Sequence, residues 1–269
     1  MQTAQSLMAI CGLPRLEARM LLEVALNKPR EWLLAHDTDA LPPESAAHFL
    51  TLAAQRRQGT PMAHLAGHRE FMGHRFVVSP DVLIPRPETE LLVEMALQKM
   101  PAGPCSLLDL GTGSGAVAIS IALARPAARV VATDLSVAAL AVAQKNAQQL
   151  GAQLQLWQGS WYEALPSEGR FEVIVSNPPY IASGDPHLSL GDLRFEPVTA
   201  LTDGADGLMA LRRIIEAAPQ HLSAKGSLWL EHGFEQSEAV RQLLVAAGFG
   251  ALETKLDLAG LPRVTGGTL

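Results

Sequence analysis

The sequence predicts an α/β protein: a doubly wound, mostly parallel sheet preceded by a small helical bundle. Three observations carry this. Apolar residues recur at helical spacing from Thr3 to about Gly59, β-rich runs alternate with helical runs from residue 88 onward, and a glycine-rich turn follows the first of those β-rich runs. Alternating strands and helices build a parallel sheet covered on both faces, and such sheets take ligands at the carboxyl ends of central strands, where the strand order reverses.

In chain order, Leu16, Met20, Leu21 and Val24 follow a 3.6-residue period, and Pro43-Glu44 opens a helix that runs through Phe49 and Leu52 to Arg57. Residues 1–75 are expected to form a helical domain, serving either as a cap or as a platform that recognises a protein substrate. Phe71, Phe76, Val77 and Val78, around a turn at Gly73, mark short strands of a connector that extends to about residue 87. Residues 88–269 form the larger domain. Strands are expected at 106–110, 129–134, 153–158, 172–176, 227–231, 252–258 and 263–268, and helices at 91–100, 116–124, 137–150, 208–222 and 237–247.

Composition narrows the function. The 269 residues are 48% hydrophobic and 18% charged, as in globular proteins. The net charge is -6; residues 1–75 hold eight Lys/Arg against seven Asp/Glu, and the remainder thirteen against twenty. That balance argues against a nucleic acid as direct substrate, because a phosphate backbone is met by a basic face. Cys11 and Cys105 are the only cysteines, and His64, His68 and His74 lack acidic or Cys partners at ligand spacing, so no metal site is expected. Without a signal segment or an apolar run of membrane-spanning length, the chain reads as soluble and cytoplasmic.

Three motifs carry the chemistry. Gly111-Thr112-Gly113-Ser114-Gly115 follows the first strand of the larger domain and opens a helix, which lets backbone N–H groups approach a ligand at the helix N-terminus. With Ala116 the stretch also matches a dinucleotide fingerprint, which keeps an NAD-dependent dehydrogenase as a rival. Asp134 ends the second strand, where such folds place an acid on the ribose hydroxyls of an adenosine; the alternative is a cap for the helix near Val137. Asn177-Pro178-Pro179-Tyr180 follows the fourth strand. Two prolines make a stiff loop without N–H donors. Asn177 Oδ1 and the Pro178 carbonyl can then accept the two hydrogens of a planar NH2 group, with Tyr180 over its flat face. That device suits methylation of an amide or an exocyclic amine, and has no evident use in hydride transfer.

Taken together, these residues resemble the seven-stranded Rossmann-like S-adenosylmethionine methyltransferases. The further segments Ile84-Pro85-Arg86-Pro87-Glu88-Thr89-Glu90, Phe195-Glu196-Pro197-Val198-Thr199-Ala200-Leu201 and Glu231-His232-Gly233 are similar to the PrmC/HemK family of release factor glutamine methyltransferases across nearly the whole chain. The resemblance implies an N-terminal bundle that grips a peptide chain release factor, and a catalytic domain that methylates the glutamine of its Gly-Gly-Gln loop with S-adenosyl-L-methionine. It also implies that Gly111, Thr112, Gly113, Ser114, Gly115, Asp134, Trp161 and Asn177 bind cofactor, with Trp161 beside the adenine. Asn177, Pro178, Pro179 and Tyr180 would hold the glutamine, Asn177 and Pro178 being catalytic. A base-directed amino methyltransferase shares the glycine loop and the Asn-Pro-Pro-Tyr motif and is the alternative. One departure is that the chain stops soon after Arg263-Val264-Thr265, so the last strand is expected to be short or irregular, at the sheet edge.

Overall fold

The structure is a computed structural model and describes residues 2–165 and 169–269. The chain divides into two compact units, Met1–His68 and Arg69–Leu269.

The first unit contains α1 (Ala4–Ile10), α2 (Arg15–Leu26), α3 (Arg30–Ala35), α4 (Pro43–Arg57) and α5 (Met62–Ala66). Thr3 starts α1 with a reciprocal cap: its hydroxyl accepts the Ser6 N–H while Ser6 Oγ accepts its own N–H. Asn27, left-handed at φ 50°, ends α2. The core gathers Leu7, Leu21, Leu22, Phe49 and Leu52. The helical period in α2 is real, but its buried face is Ala18, Leu21 and Leu22; Leu16 and Met20 are exposed. Arg56 pairs with Glu17 through two bonds of 2.9 Å, joining α4 to α2.

The second unit begins with a hairpin, β1 (His68–Phe71) and β2 (His74–Val77), and a turn at Pro87–Thr89 that leads into α6 (Glu90–Lys99). The series continues with β3 (Ser106–Leu110), α7 (Ala116–Ala124), β4 (Arg129–Asp134), α8 (Val137–Leu150), β5 (Gln155–Gln158), β6 (Phe171–Ser176), α9 (Val198–Leu201), α10 (Met209–His221), β7 (Leu222–Glu231), α11 (Ser237–Ala246), β8 (Gly250–Leu256) and β9 (Pro262–Thr268). Among the described residues, seven strands form one sheet in the order β5-β4-β3-β6-β7-β9-β8, parallel from β5 to β7 and antiparallel at β9 and β8.

Central strands are apolar on both faces. Leu107, Val173, Val175 and Trp229 join one core layer with α6 and α7, while Leu108, Leu110, Ile174, Leu228 and Leu230 join the other with α10 and α11. Each such aliphatic side chain contributes about 1.5–3 kcal/mol through burial. The last strand is neither short nor peripheral. It lies between β7, which pairs with Val264–Thr268, and β8, and it is irregular as expected only on the β8 side, where the register shifts twice. Its glycines suit this position: a Cβ on Gly266 would lie 2.5 Å from Cε3 of the fully buried Trp229.

After β3 the chain moves outward to β4 and β5, then returns to β6 on the other side of β3. The strand order therefore reverses between β3 and β6, and the loops that leave their carboxyl ends diverge around a crevice.

Candidate active site

The crevice is a cavity of about 620 Å³, within the usual range for small-molecule sites. Its floor is the turn after β3. The N–H groups of Gly111 and Thr112 both reach the Thr133 carbonyl, at 2.9 and 3.0 Å, and Gly113 N–H reaches Asp134 Oδ2 at 2.8 Å. Gly111 holds φ +74°, and a Cβ there would meet the Trp161 ring at 3.2 Å, so the missing side chain lets the indole lie close over the loop. Gly115 is tightly packed. At φ +82° it caps α7, and a Cβ would sit 2.7 Å from Ile119 Cδ1 and 3.1 Å from Ala143 Cβ of α8. Asn146 of α8, fully buried, braces the loop from behind by donating to the Ser114 carbonyl (2.9 Å) and exchanging two bonds with the Val77 backbone.

Asp134 closes β4. Each of its oxygens takes one backbone N–H at 2.8 Å, Oδ2 from Gly113 and Oδ1 from Ser136. The cap of α8 is the Ser136 hydroxyl, which accepts from Ala139 N–H, so Asp134 is not needed for that. Each oxygen retains further acceptor capacity, and the residue lines the cavity. Asp109 lines the same wall, buried and bonded to the Thr112 hydroxyl at 2.7 Å. Burial pushes its carboxyl up to about 7, against the Thr112 bond and with the Asp134 charge adding to the rise. Burial also raises Asp134, opposed by its backbone bonds.

Across the reversal, Asn177 follows β6. Its Nδ2 donates to Thr89 Oγ1 at 3.2 Å, which leaves Oδ1 to accept from another group, and the residue lines the cavity. Pro179 also lines the cavity. Pro178, Tyr180 and Gly115 are outside the lining among the described residues, and the Tyr180 hydroxyl donates to Glu231 Oε1 at 3.3 Å. Two straps complete the wall. The segment around Pro80–Pro85 and the one around Pro197–Asp203 are joined by Glu196, which is buried, accepts Ile84 N–H at 2.8 Å and pairs with the Arg86 guanidinium.

Of the residues singled out from the sequence, Gly111, Thr112, Gly113, Ser114, Asp134, Trp161, Asn177 and Pro179 line this one cavity. Sequence reasoning assigned no role to Asp109, Thr89, Glu196 or Asn146. Asp109 stands two residues before Gly111, and Thr89, Glu196 and Glu231 fall in the segments that carry the resemblance, which was the available signal; nothing in sequence marks Asn146.

A sheet of this order, with a glycine turn, a strand-terminal acid and an Asn-Pro-Pro-Tyr loop facing each other across the reversal, defines a Rossmann-like methyltransferase. A family model described as Methyltransferase small domain matches residues 87–194, and one described as PrmC N-terminal domain matches residues 1–67. The release factor glutamine methyltransferase of Bordetella pertussis is 57% identical over 271 residues, covering 100% of both chains. Its counterpart in Escherichia coli K12 is 45% identical, covering 94% of this chain and 91% of that one. Among solved structures, a methyltransferase from Pyrococcus furiosus shares the fold, with a TM-score of 0.55 at 19% identity over 73% of this chain and 89% of that one. The chain belongs to the PrmC/HemK family of release factor glutamine methyltransferases.

Proposed function

We propose that this protein transfers a methyl group from S-adenosyl-L-methionine to the side-chain amide nitrogen of the glutamine in the Gly-Gly-Gln loop of peptide chain release factors, and so supports translation termination. The observation that carries the reading is the Asn177 amide, anchored through its NH2 to Thr89 and lining the cavity opposite Asp134 and the glycine loop.

The residues present fit the cofactor. Asp134 keeps acceptor capacity for a diol, Trp161 lies over Gly111 where a flat ring can stack, and the lining contains Asp81, Asp109, Asp134 and Asp203 against one guanidinium, Arg213, which suits a cationic ligand. When bound, S-adenosylmethionine supplies an electrophilic methyl group on a sulfonium. An amide nitrogen is a poor nucleophile because its lone pair is delocalised into the carbonyl, so positioning is the main lever of the protein. Asn177 Oδ1 and the Pro178 carbonyl accept the two N–H groups of the substrate. Those bonds strengthen as positive charge develops on nitrogen, which lowers the barrier rather than merely tightening binding. Pro178 and Pro179 have no N–H to compete for these acceptors. The helical unit, with its own core, is assigned to holding the release factor.

The test is incubation with labelled S-adenosylmethionine and a purified release factor. Label should enter the Gly-Gly-Gln loop and vanish when its glutamine is changed to alanine. Label that persists in that variant would overturn the substrate assignment.

A further inference from the structure

The Asn-Pro-Pro-Tyr loop is held from behind by polar groups outside its own motif. Thr89 and Glu231 are both buried, at 4% and 1% exposure. Thr89 Oγ1 accepts from Asn177 Nδ2, so its own proton is free to point elsewhere; the Glu231 carboxyl is close enough to favour its charge, and Glu231 Oε2 is buried with no hydrogen-bond partner, the one acceptor there still to be satisfied. Tyr180 donates to the same carboxyl at 3.3 Å. Two residues of one loop thus lead to one acid, Tyr180 by a direct hydrogen bond and Asn177 by way of Thr89, its hydrogen-bond acceptor and the neighbour of that carboxyl. An ionised carboxylate only accepts. It therefore favours donors turned toward it, and with its NH2 engaged by Thr89 the Asn177 amide keeps Oδ1 as its acceptor.

We propose that Glu231 is a positioning residue for methyl transfer: through Thr89 it sets the orientation of the Asn177 amide, and directly that of Tyr180, so that the loop presents an acceptor rather than a donor to the substrate NH2 group. This rests on the reading of Asn177 as the amide acceptor.

A carboxyl in this place opposes folding. Burial pushes it up to about 7; Thr89, Tyr180 and Arg263 favour its charge and Glu88 disfavours it. These are the groups that face it, from the turn before α6, from β9 and from the loop after β6, while His232, next in the chain, is kept neutral mainly by its own burial. A glutamine would fill the same space without the charge, so a role in packing alone does not explain a carboxylate here. On protonation the acid becomes a donor and can turn its O–H onto Thr89, which removes the acceptor that held the chain of bonds in one direction.

The experiment is single-turnover methylation of an intact release factor by the full-length protein at saturating cofactor, across the acidic and neutral range. The wild-type rate should rise with pH through about 7. Glu231→Gln should be roughly 10- to 100-fold slower, the scale of a misaligned reacting group, and its rate should be flat with pH. Glu231→Asp should restore part of the rate together with the acidic limb. Affinity for S-adenosylhomocysteine and Tm should not fall in Glu231→Gln, whereas general disruption would lower both. Thr89→Val should slow transfer and Thr89→Ser should restore it. A wild-type rate in folded Thr89→Val, or an acidic limb that survives in Glu231→Gln, would overturn the inference. A wild-type enzyme that labels no glutamine would instead overturn the substrate reading.

Discussion

Asp134→Asn probes the cofactor side with little change of shape. In the native protein the two carboxylate oxygens each take a backbone N–H at 2.8 Å, from Gly113 and from Ser136. An asparagine has a single oxygen, so whichever way it turns its NH2 confronts one of those two donors. The loss is one charge-assisted bond, about 1.5–3 kcal/mol. Against it stands the relief of burying a charge: Asp134 is raised by desolvation, and its charge in turn helps raise Asp109. In folding, the two contributions oppose each other, and Tm should move by only a few degrees, a net change of about 1 kcal/mol. Binding has no such offset, because the ligand diol loses a charged acceptor. Affinity for S-adenosylhomocysteine should fall roughly 10- to 100-fold, about 1.4–2.8 kcal/mol. Titration calorimetry gives the affinity and scanning calorimetry the Tm. An unchanged Kd would refute the assignment of Asp134 to the ligand, and a collapse of Tm would show that its bonds mainly hold the loop.

Three further outcomes are expected. Asn177→Ala removes one of two acceptors and should slow single-turnover transfer by roughly 100- to 1,000-fold; Tyr180→Phe, which keeps the ring, should cost much less than Tyr180→Ala. Removal of residues 1–68, a unit with its own core, should leave S-adenosylhomocysteine binding intact by calorimetry while greatly reducing methylation of an intact release factor; equal rates would remove the recognition role. Asp109, pushed up to about 7, binds a proton in the folded chain that it releases when unfolded near pH 4, so its carboxyl favours folding below about pH 4 and that advantage is lost as pH rises through about 7. Asp109→Asn should therefore raise Tm at pH 8 but not at pH 4, and should flatten any rise with pH in affinity for S-adenosylmethionine relative to S-adenosylhomocysteine, whose sulfur is neutral, across the same window.

Much of the site was legible because its parts end strands. The glycine turn, Asp134 and Asn177 each follow a β-rich run directly, and a parallel sheet delivers all such ends to one edge. Groups that act across long sequence separations were not legible: the pairs Ile84–Glu196, Arg86–Glu196 and Tyr180–Glu231 depend on where straps fold back, which no local period encodes. Which face of α2 is covered was not legible for the same reason. A 3.6-residue repeat locates a helix, but Leu16 and Leu21 lie on different faces, and neighbouring helices decide which is covered. Gly115 belongs to a loop whose pattern speaks of ligands, yet its space is filled by α8. The antiparallel insertion of β9 also escaped, since strand order follows from how β8 and β9 fold onto each other and not from either strand alone.

That insertion bears on how the molecule fares while it is being made. β8 reaches the sheet only by way of β9, which follows it in the chain. A nascent polypeptide that has emerged through Ala259 but not beyond has β7 with one flank uncovered: the backbone of Ser227–Glu231, carrying Leu228, Trp229 and Leu230, has no ladder on that side. An apolar open flank of this kind is a template for pairing with another chain. Messages broken or stalled in this interval would yield species prone to stick to one another, and the few residues from Pro262 to Thr268 are what cover that flank of β7.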